Sequence, residues 1–299
     1  MTTPPVPAAA NNEVRRIACA SWDQFISEVR LSRPLGTDEG EVIASHVLFR
    51  GHCCTEWKLQ SILDRNLTVW GKSETGETIL ATHLRLDQSK FGRYCERILQ
   101  QFRRSTHGMP GTYPGMPDDE LWALGRHHGL LTPLLDWTES PYVAAYFAFA
   151  EQARLWQRGF KAIANPGVGQ TVRIWGLRFW LDLDQPGEFQ TVRAIPSTAS
   201  RQRAQRGLFT QLVATKHFDL EDYLRERGLA HCLETYDIPA SEASTALRDL
   251  RLMNITPVVL FPDLEGAAIE ANFDGDSLEF TNDSRAFFAR MSRRRAAGS

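Results

Sequence analysis

The sequence is short of several features that would announce a function. No apolar run reaches the roughly 20 residues that a membrane-spanning helix needs, so no membrane partner is expected. The opening segment, MTTPPVPAAANNE, has neither the charged start nor the apolar centre of a secretory signal. It reads as a short leader over residues 1–20, and the expected location is the cytoplasm. Cysteine is scarce and odd in number: Cys19, Cys53, Cys54, Cys95 and Cys232, with no CxxC pair. That spacing argues against a zinc ribbon or a complete disulfide framework and fits reduced thiols. Charge of one sign is also lacking. The 36 acidic and 34 basic side chains leave a net charge of −2, so any nucleic-acid surface must be a local patch. HExxH, the P-loop, GxGxxG and GxSxG are all missing. Their absence weighs against zinc proteases, P-loop NTPases, Rossmann dehydrogenases and α/β-hydrolases, and no metal is expected.

The informative stretch is Leu121–Ala150, LWALGRHHGLLTPLLDWTESPYVAAYFAFA. Pro117-Asp118-Asp119-Glu120 supplies acidic residues for the positive end of a helix, and Gly129 suits a left-handed helix end. Pro133 stops the helix, and Leu134-Leu135-Asp136 reads as a short buried strand. Ser140 and Pro141 then form an N-cap and a first helical residue, followed by an apolar helix suited to burial against a sheet. Asp136, Trp137, Thr138 and Ser140 therefore sit at a strand-to-helix junction, a place that suits an anionic or polar ligand. Capping by Thr138 and Ser140 explains the same residues. Earlier, Val47-Leu48-Phe49 reads as a strand that delivers Arg50 and Gly51. Arg50 can grip phosphate bidentately or form an ion pair with Asp136. His127 and His128 fall in a last helical turn, where they either pack and cap or sit at the mouth of a cleft.

Phe49-Arg50-Gly51, His127-His128-Gly129 and Leu134-Leu135-Asp136-Trp137-Thr138, with Gln205–Thr210 and Leu260–Gly266, resemble the FRG domain family, over about residues 21–271. The arrangement in turn is similar to an ADP-ribosyltransferase core. The resemblance implies an α+β fold: a split, mixed or antiparallel sheet flanked by helices. It places one globular domain at 21–280, with a helical insertion at about 81–130 and a basic tail at 281–299. It implies NAD as co-substrate. Arg50, beside Gly51, would hold the pyrophosphate. Thr138 and Ser140 would shape the nicotinamide ribose site, Trp137 or Tyr146 would stack on nicotinamide, and His127 and His128 would touch the ligand. Such enzymes use a Glu on a later strand to orient the ribose. Here the strand expected at Gly207–Val213 offers Gln205 and Gln211 instead. Asp136 ranks first among the replacement carboxylates, ahead of Glu139 and Glu265, and Gln205 is a substitute hydrogen-bonding group.

The activity implied is ADP-ribosyl transfer to a macromolecule, either RNA, DNA or protein. Bacterial toxins and phage-defence effectors act in this way, with an antitoxin or regulatory protein as partner. The alternatives are a regulatory module that binds a nucleotide or anion without turnover, and an enzyme that hydrolyses NAD. Elsewhere, periodicity predicts helices at Ser21–Arg30, Ala81–Arg104, Asp219–Arg227 and Ser241–Met253. Strands are predicted at Val42–Arg50, Thr171–Phe179, Gln190–Ile195 and Pro257–Phe261. The helix Ala81–Arg104 carries Lys90, Arg93, Arg97, Arg103 and Arg104 around an apolar stripe, a pattern open to solvent or to a phosphate backbone.

Overall fold

A computed structural model describes residues 12–31, 36–38, 41–43, 47–70, 87–157, 170–178, 188–192, 200–213 and 217–276. Most of the leader, the 193–195 end of one predicted strand, the 81–86 start of the long helix and the basic tail lie outside the described residues.

The fold is α+β, built on a seven-stranded mixed sheet. Its strands are β1 (Arg15–Ala18), β4 (Val47–His52), β5 (Leu134–Thr138), β6 (Thr171–Arg178), β7 (Phe189–Val192), β8 (Gly207–Leu212) and β9 (Leu233–Pro239). They run in the order β1-β9-β6-β4-β5-β8-β7. Among the described strands of this sheet, only the edge pair β1–β9 is parallel. A separate antiparallel pair joins β2 (Gly36–Asp38) to β3 (Glu41–Ile43). The described helices are α1 (Trp22–Leu31), α2 (Ile62–Trp70), α3 (Gln88–Ser105), α4 (Asp118–His127), α5 (Pro141–Gln157), α6 (Ser200–Ala204), α7 (Leu220–Glu226), α8 (Ala243–Leu252), α9 (Pro257–Leu260) and α10 (Leu264–Asp276).

Alternation along the strands sorts the core. Val47 and Phe49 of β4 and Ile174 of β6 meet α1, α5 and α8 through Trp22, Phe25, Phe149 and Leu250. Leu48, Trp175 and Leu177 belong to the opposite cluster, with Leu135, Trp137, Leu208 and the α7 residues Leu220 and Leu224. Over the other half of the sheet, Leu134 and Phe209 pack with Phe91, Cys95 and Leu99 of α3 and Leu121 and Trp122 of α4. Gly129, at φ 86°, ends the turn after α4 in the left-handed conformation expected of it.

Two strands of the seven-stranded sheet escaped the sequence reading. β9, LETYDIP, carries Glu234 and Asp237, which obscured its alternation. Both carboxylates are spoken for by arginines of neighbouring β6: Arg178 Nη2 donates to Glu234 at 2.8 Å, and Arg173 makes a bidentate pair with Asp237 at 2.7 and 2.6 Å. β1 lies inside the stretch read as a leader and pairs with β9. Conversely, the strand expected at Pro257–Phe261 is a single helical turn, α9. Val258 and Val259 suggested a strand, but Pro257 stands at the first helical position, and the N–H groups of Leu260 and Phe261 turn back to Thr256 and Pro257.

The sheet has one weak seam. β4 pairs with β6 along its whole length, from Val47↔Arg178 to His52↔Arg173. It meets β5 at the single bridge Phe49↔Thr138. Helix α5 packs across this seam so closely that a Cβ on Gly51 would lie 1.9 Å from the Ala144 carbonyl oxygen. Only glycine lets the strand come this near a helix backbone. Gly51→Ala is therefore expected to destabilise the protein by about 1–3 kcal/mol or more. Gly92→Ala, where an added Cβ meets nothing within 4 Å, should stabilise α3 by about 0.5–1 kcal/mol. Urea denaturation of the two variants tests this, and equal midpoints would contradict it.

Candidate functional site

The three residues Phe49-Arg50-Gly51 face three tasks. Phe49 enters the core and Gly51 admits α5. Arg50 reaches the seam, where its Nη1 donates to the Asp136 carbonyl oxygen at 2.8 Å and lies 3.4 Å from Asp136 Oδ2. The same Oδ2 accepts from Arg126 Nη2, in the last turn of α4, at 2.8 Å. One carboxylate is thus shared by two guanidiniums. Arg65 of α2 is near enough that its charge acts on Arg50 and that it feels the charges of Arg126 and Asp136 itself. The side chains of Arg50, Arg126 and Asp136 are 14, 23 and 39% exposed, so the cluster opens to water chiefly at Asp136 and Arg126.

The electrostatics follow. Burial pushes the Arg50 pKa down to about 10; Asp136 opposes the shift, and Arg65 and Arg126 add to it. Burial pushes Asp136 up, but Arg126 and Arg50 outweigh it and hold the carboxyl below its ordinary value. His52, on the same strand as Arg50, is held well below 6.5 by burial and then by the Arg50 and Arg65 charges, so it is neutral.

Neutral imidazole has one acceptor nitrogen. Yet Arg50 Nε–H points at His52 Nε2 at 3.0 Å, and Trp175 Nε1–H points at His52 Nδ1 at 3.2 Å. In either tautomer, one of these two donors does not find its acceptor on His52. Arg126 Nε is a further buried donor without a partner among the described residues. The seam is therefore rich in N–H donors and poor in acceptors.

The remaining sequence-selected residues fall into two groups. Thr138, Ser140 and Gln205 are brought together next to the seam, but they satisfy one another. Thr138 Oγ1 donates to the Gln205 carbonyl at 2.6 Å and accepts the Ser140 N–H at 3.1 Å. Ser140 Oγ caps α5 by accepting the Val143 N–H at 3.3 Å. The Gln205 side-chain amide donates to the Leu260 carbonyl at 3.1 Å.

Trp137 and Tyr146 do not join the site. Trp137 is buried and donates its indole N–H to Thr210 at 2.9 Å, and Tyr146 lies in the core under α5. Neither ring offers a face to a nicotinamide, because both supply apolar area that the sheet needs on its two sides. His127 and His128 are exposed at the end of α4, their rings edge to face. Burial and then Arg201 lower the His127 pKa below its usual value. Of the carboxylates considered, Asp136 alone meets Arg50. Glu265 is paired with Arg201, together with Asp263, away from Arg50.

His52, Arg65 and Arg126 were missed by sequence reasoning. Arg126 had a signal: it directly precedes His127-His128 in the last turn of a helix that ends seven positions before β5. His52 follows Arg50 by two positions, the spacing that puts both on one face of a strand.

These features coincide with a known family. The model of the FRG domain matches residues 45–155. The chain carries an FRG domain. The matched span takes in β4, α2, α3, α4, β5 and nearly all of α5, hence Arg50, Arg126 and Asp136. It is narrower than the stretch that resembles the family in sequence, and the segments around Gln205 and Asp263 lie outside it. No curated protein and no solved structure gives a significant match.

Asp136 is expected to stabilise the FRG domain by neutralising two arginines. A carboxyl with a depressed folded pKa contributes its full share at neutral pH and loses it as pH falls through that value. Asp136→Asn should therefore cost about 1–3 kcal/mol at neutral pH, below the about 3–5 kcal/mol of a fully buried pair because the carboxylate is partly exposed. The difference from the parent should shrink as pH drops below 3.8, the ordinary value. A deficit unchanged between neutral and strongly acidic pH would refute the ion-pair role.

Proposed function

We propose that the protein binds an anionic nucleotide at the β4–β5 seam, with the pyrophosphate of NAD on Arg50 and Arg126, and transfers ADP-ribose to a macromolecular acceptor. The observation that carries the binding is the surplus of donors: two guanidiniums on one carboxylate, an orphaned Arg126 Nε, and a His52 that accepts from only one of its two N–H neighbours. A phosphate oxygen answers both the charge and the missing acceptors. The transfer step rests on the likeness of the motif set to ADP-ribosyltransferases. The single-bridge seam beside Arg50 is in keeping with the split sheet that this likeness implies. In that chemistry the bond between ribose C1′ and the nicotinamide nitrogen breaks. Nicotinamide leaves with the bonding pair, and an acceptor nucleophile takes C1′ and gives up a proton. The protein needs chiefly to position the reactants and stabilise developing charge.

A second reading, binding without turnover, is favoured by one observation. The carboxylate that meets Arg50 has its Oδ2 held by both arginines, which leaves it less suited to orienting a ribose hydroxyl.

Calorimetry with NAD and with ADP-ribose tests the binding. Arg50→Ala and Arg126→Ala should each weaken both ligands about tenfold or more, since a charge-assisted hydrogen bond contributes about 1.5–3 kcal/mol. Unchanged affinity in both folded variants would remove the basis of the proposal. Labelled NAD then separates the readings. Label on a macromolecule indicates transfer, free nicotinamide with unlabelled macromolecule indicates hydrolysis, and neither, with binding intact, indicates the regulatory module.

A further inference from the structure

Helix α3 presents two unlike faces. Phe91, Cys95 and Leu99 are buried in the core. The outer face carries Lys90, Arg93, Arg97 and Arg104 with Gln100 and Gln101, all exposed. These residues, with Tyr94 and Glu96, share one side of this single helix. Positions 90, 93, 97 and 104 recur at helical spacing and so form one stripe, which runs for about 21 Å at about 1.5 Å per residue. Most of its charge is uncommitted. Lys90 pairs with Asp87 at 2.9 Å, and the Arg97 guanidinium lies over the Tyr94 ring at 5.6 Å. Arg93, Arg97 and Arg104 have no carboxylate partner among the described residues, and Glu96 is the one acid in α3. By contrast, Arg103, one residue from Arg104, turns inward to Asp118 and to the Met116 carbonyl.

We infer that this stripe is a docking surface for a nucleic-acid backbone. A lone anion needs one cluster of cations, whereas a row of guanidiniums one or two turns apart matches a polyanion with regularly repeated charge. Glutamines add hydrogen bonds to phosphate and sugar, and the arginines supply the salt-sensitive part of the affinity. A lipid surface fits less well, because a helix lying on a membrane inserts its apolar face and the apolar face of α3 is already spent on the core. The stripe belongs to the body that holds the seam: Phe102 of α3 reaches Gly125 of α4, next to Arg126. If ADP-ribose is transferred, a strand bound here is the natural acceptor. The docking itself does not depend on that activity.

The test is fluorescence anisotropy with a labelled oligonucleotide, single-stranded and as a duplex, in the absence of NAD, across a salt series. The parent should bind at least one form, with affinity that falls steeply as salt rises. Arg93→Ala/Arg97→Ala/Arg104→Ala should bind about tenfold or more weakly, with the salt slope reduced by about 2–3, since each lost phosphate contact removes about 0.7–0.9. The three side chains lie on the surface, so circular dichroism should be unchanged. Arg50→Ala should bind the oligonucleotide like the parent, which separates this surface from the nucleotide site. The inference is overturned by a parent that binds neither form at low salt, by a folded triple variant that binds as the parent does, or by binding of phosphatidylserine vesicles through these arginines with none of either oligonucleotide.

Discussion

One carboxylate holds together the weakest line in this sheet. Where β4 and β5 part after a single bridge, Asp136 takes Arg50 from one side and Arg126 from the other. The backbone carbonyl of the same residue takes a second bond from Arg50. Strand β4, strand β5 and helix α4 are thereby fixed to one point with few backbone hydrogen bonds to share the load. Burial of Arg50 is tolerable only because this acceptor is there. A guanidinium at 14% exposure with no counter-charge would be costly. The cluster is therefore first a structural device. The ligand binding proposed for it rests on the imbalance left over, since one carboxylate does not satisfy all the donors that converge on it.

The Phe-Arg-Gly triplet is intelligible in these terms. Alternation sends Phe49 and Gly51 to the side of α5 and Arg50 to the other. Phe49 fills the core, and Gly51 removes the Cβ that would strike the helix backbone. The close approach of α5 in turn fixes its first turn, where Thr138 and Ser140 cap it. A small set of local contacts thus ties the two halves of the FRG domain motif, some ninety positions apart, into one piece of structure. Gln205, outside the matched span, closes this piece by accepting the Thr138 hydroxyl and reaching on to α9.

What the sequence made legible was whatever depends on local pattern. The helices at 22–31, 118–127 and 141–157 followed from apolar spacing, caps and prolines, and the strands of Arg50 and Asp136 from short apolar runs. What stayed hidden depends on partners distant in the chain. β9 looked too charged for a buried strand until Arg173 and Arg178 of β6 were set beside it. Trp137 and Tyr146 looked available because their neighbours are polar or helical, whereas the sheet consumes both rings. The convergence of Arg50 and Asp136 was readable as one of two alternatives. The share taken by Arg126 had only its place beside His127-His128 to point to it, because no pattern within α4 says which way its last turn faces.

The same contrast explains why two basic clusters on one chain deserve different readings. At the seam, the arginines are largely buried and pinned to a fixed acceptor, so their geometry is set before any ligand arrives. That suits a small ligand with defined atoms, where positional accuracy decides affinity. On α3, Arg93, Arg97 and Arg104 are exposed on long flexible stems and have no carboxylate partner among the described residues. That suits a long anion whose charges repeat, where total charge matters more than any single position. With a net charge of −2 over the whole chain, such a stripe stands out from its surroundings, and a polyanion is steered to it rather than spread over the surface.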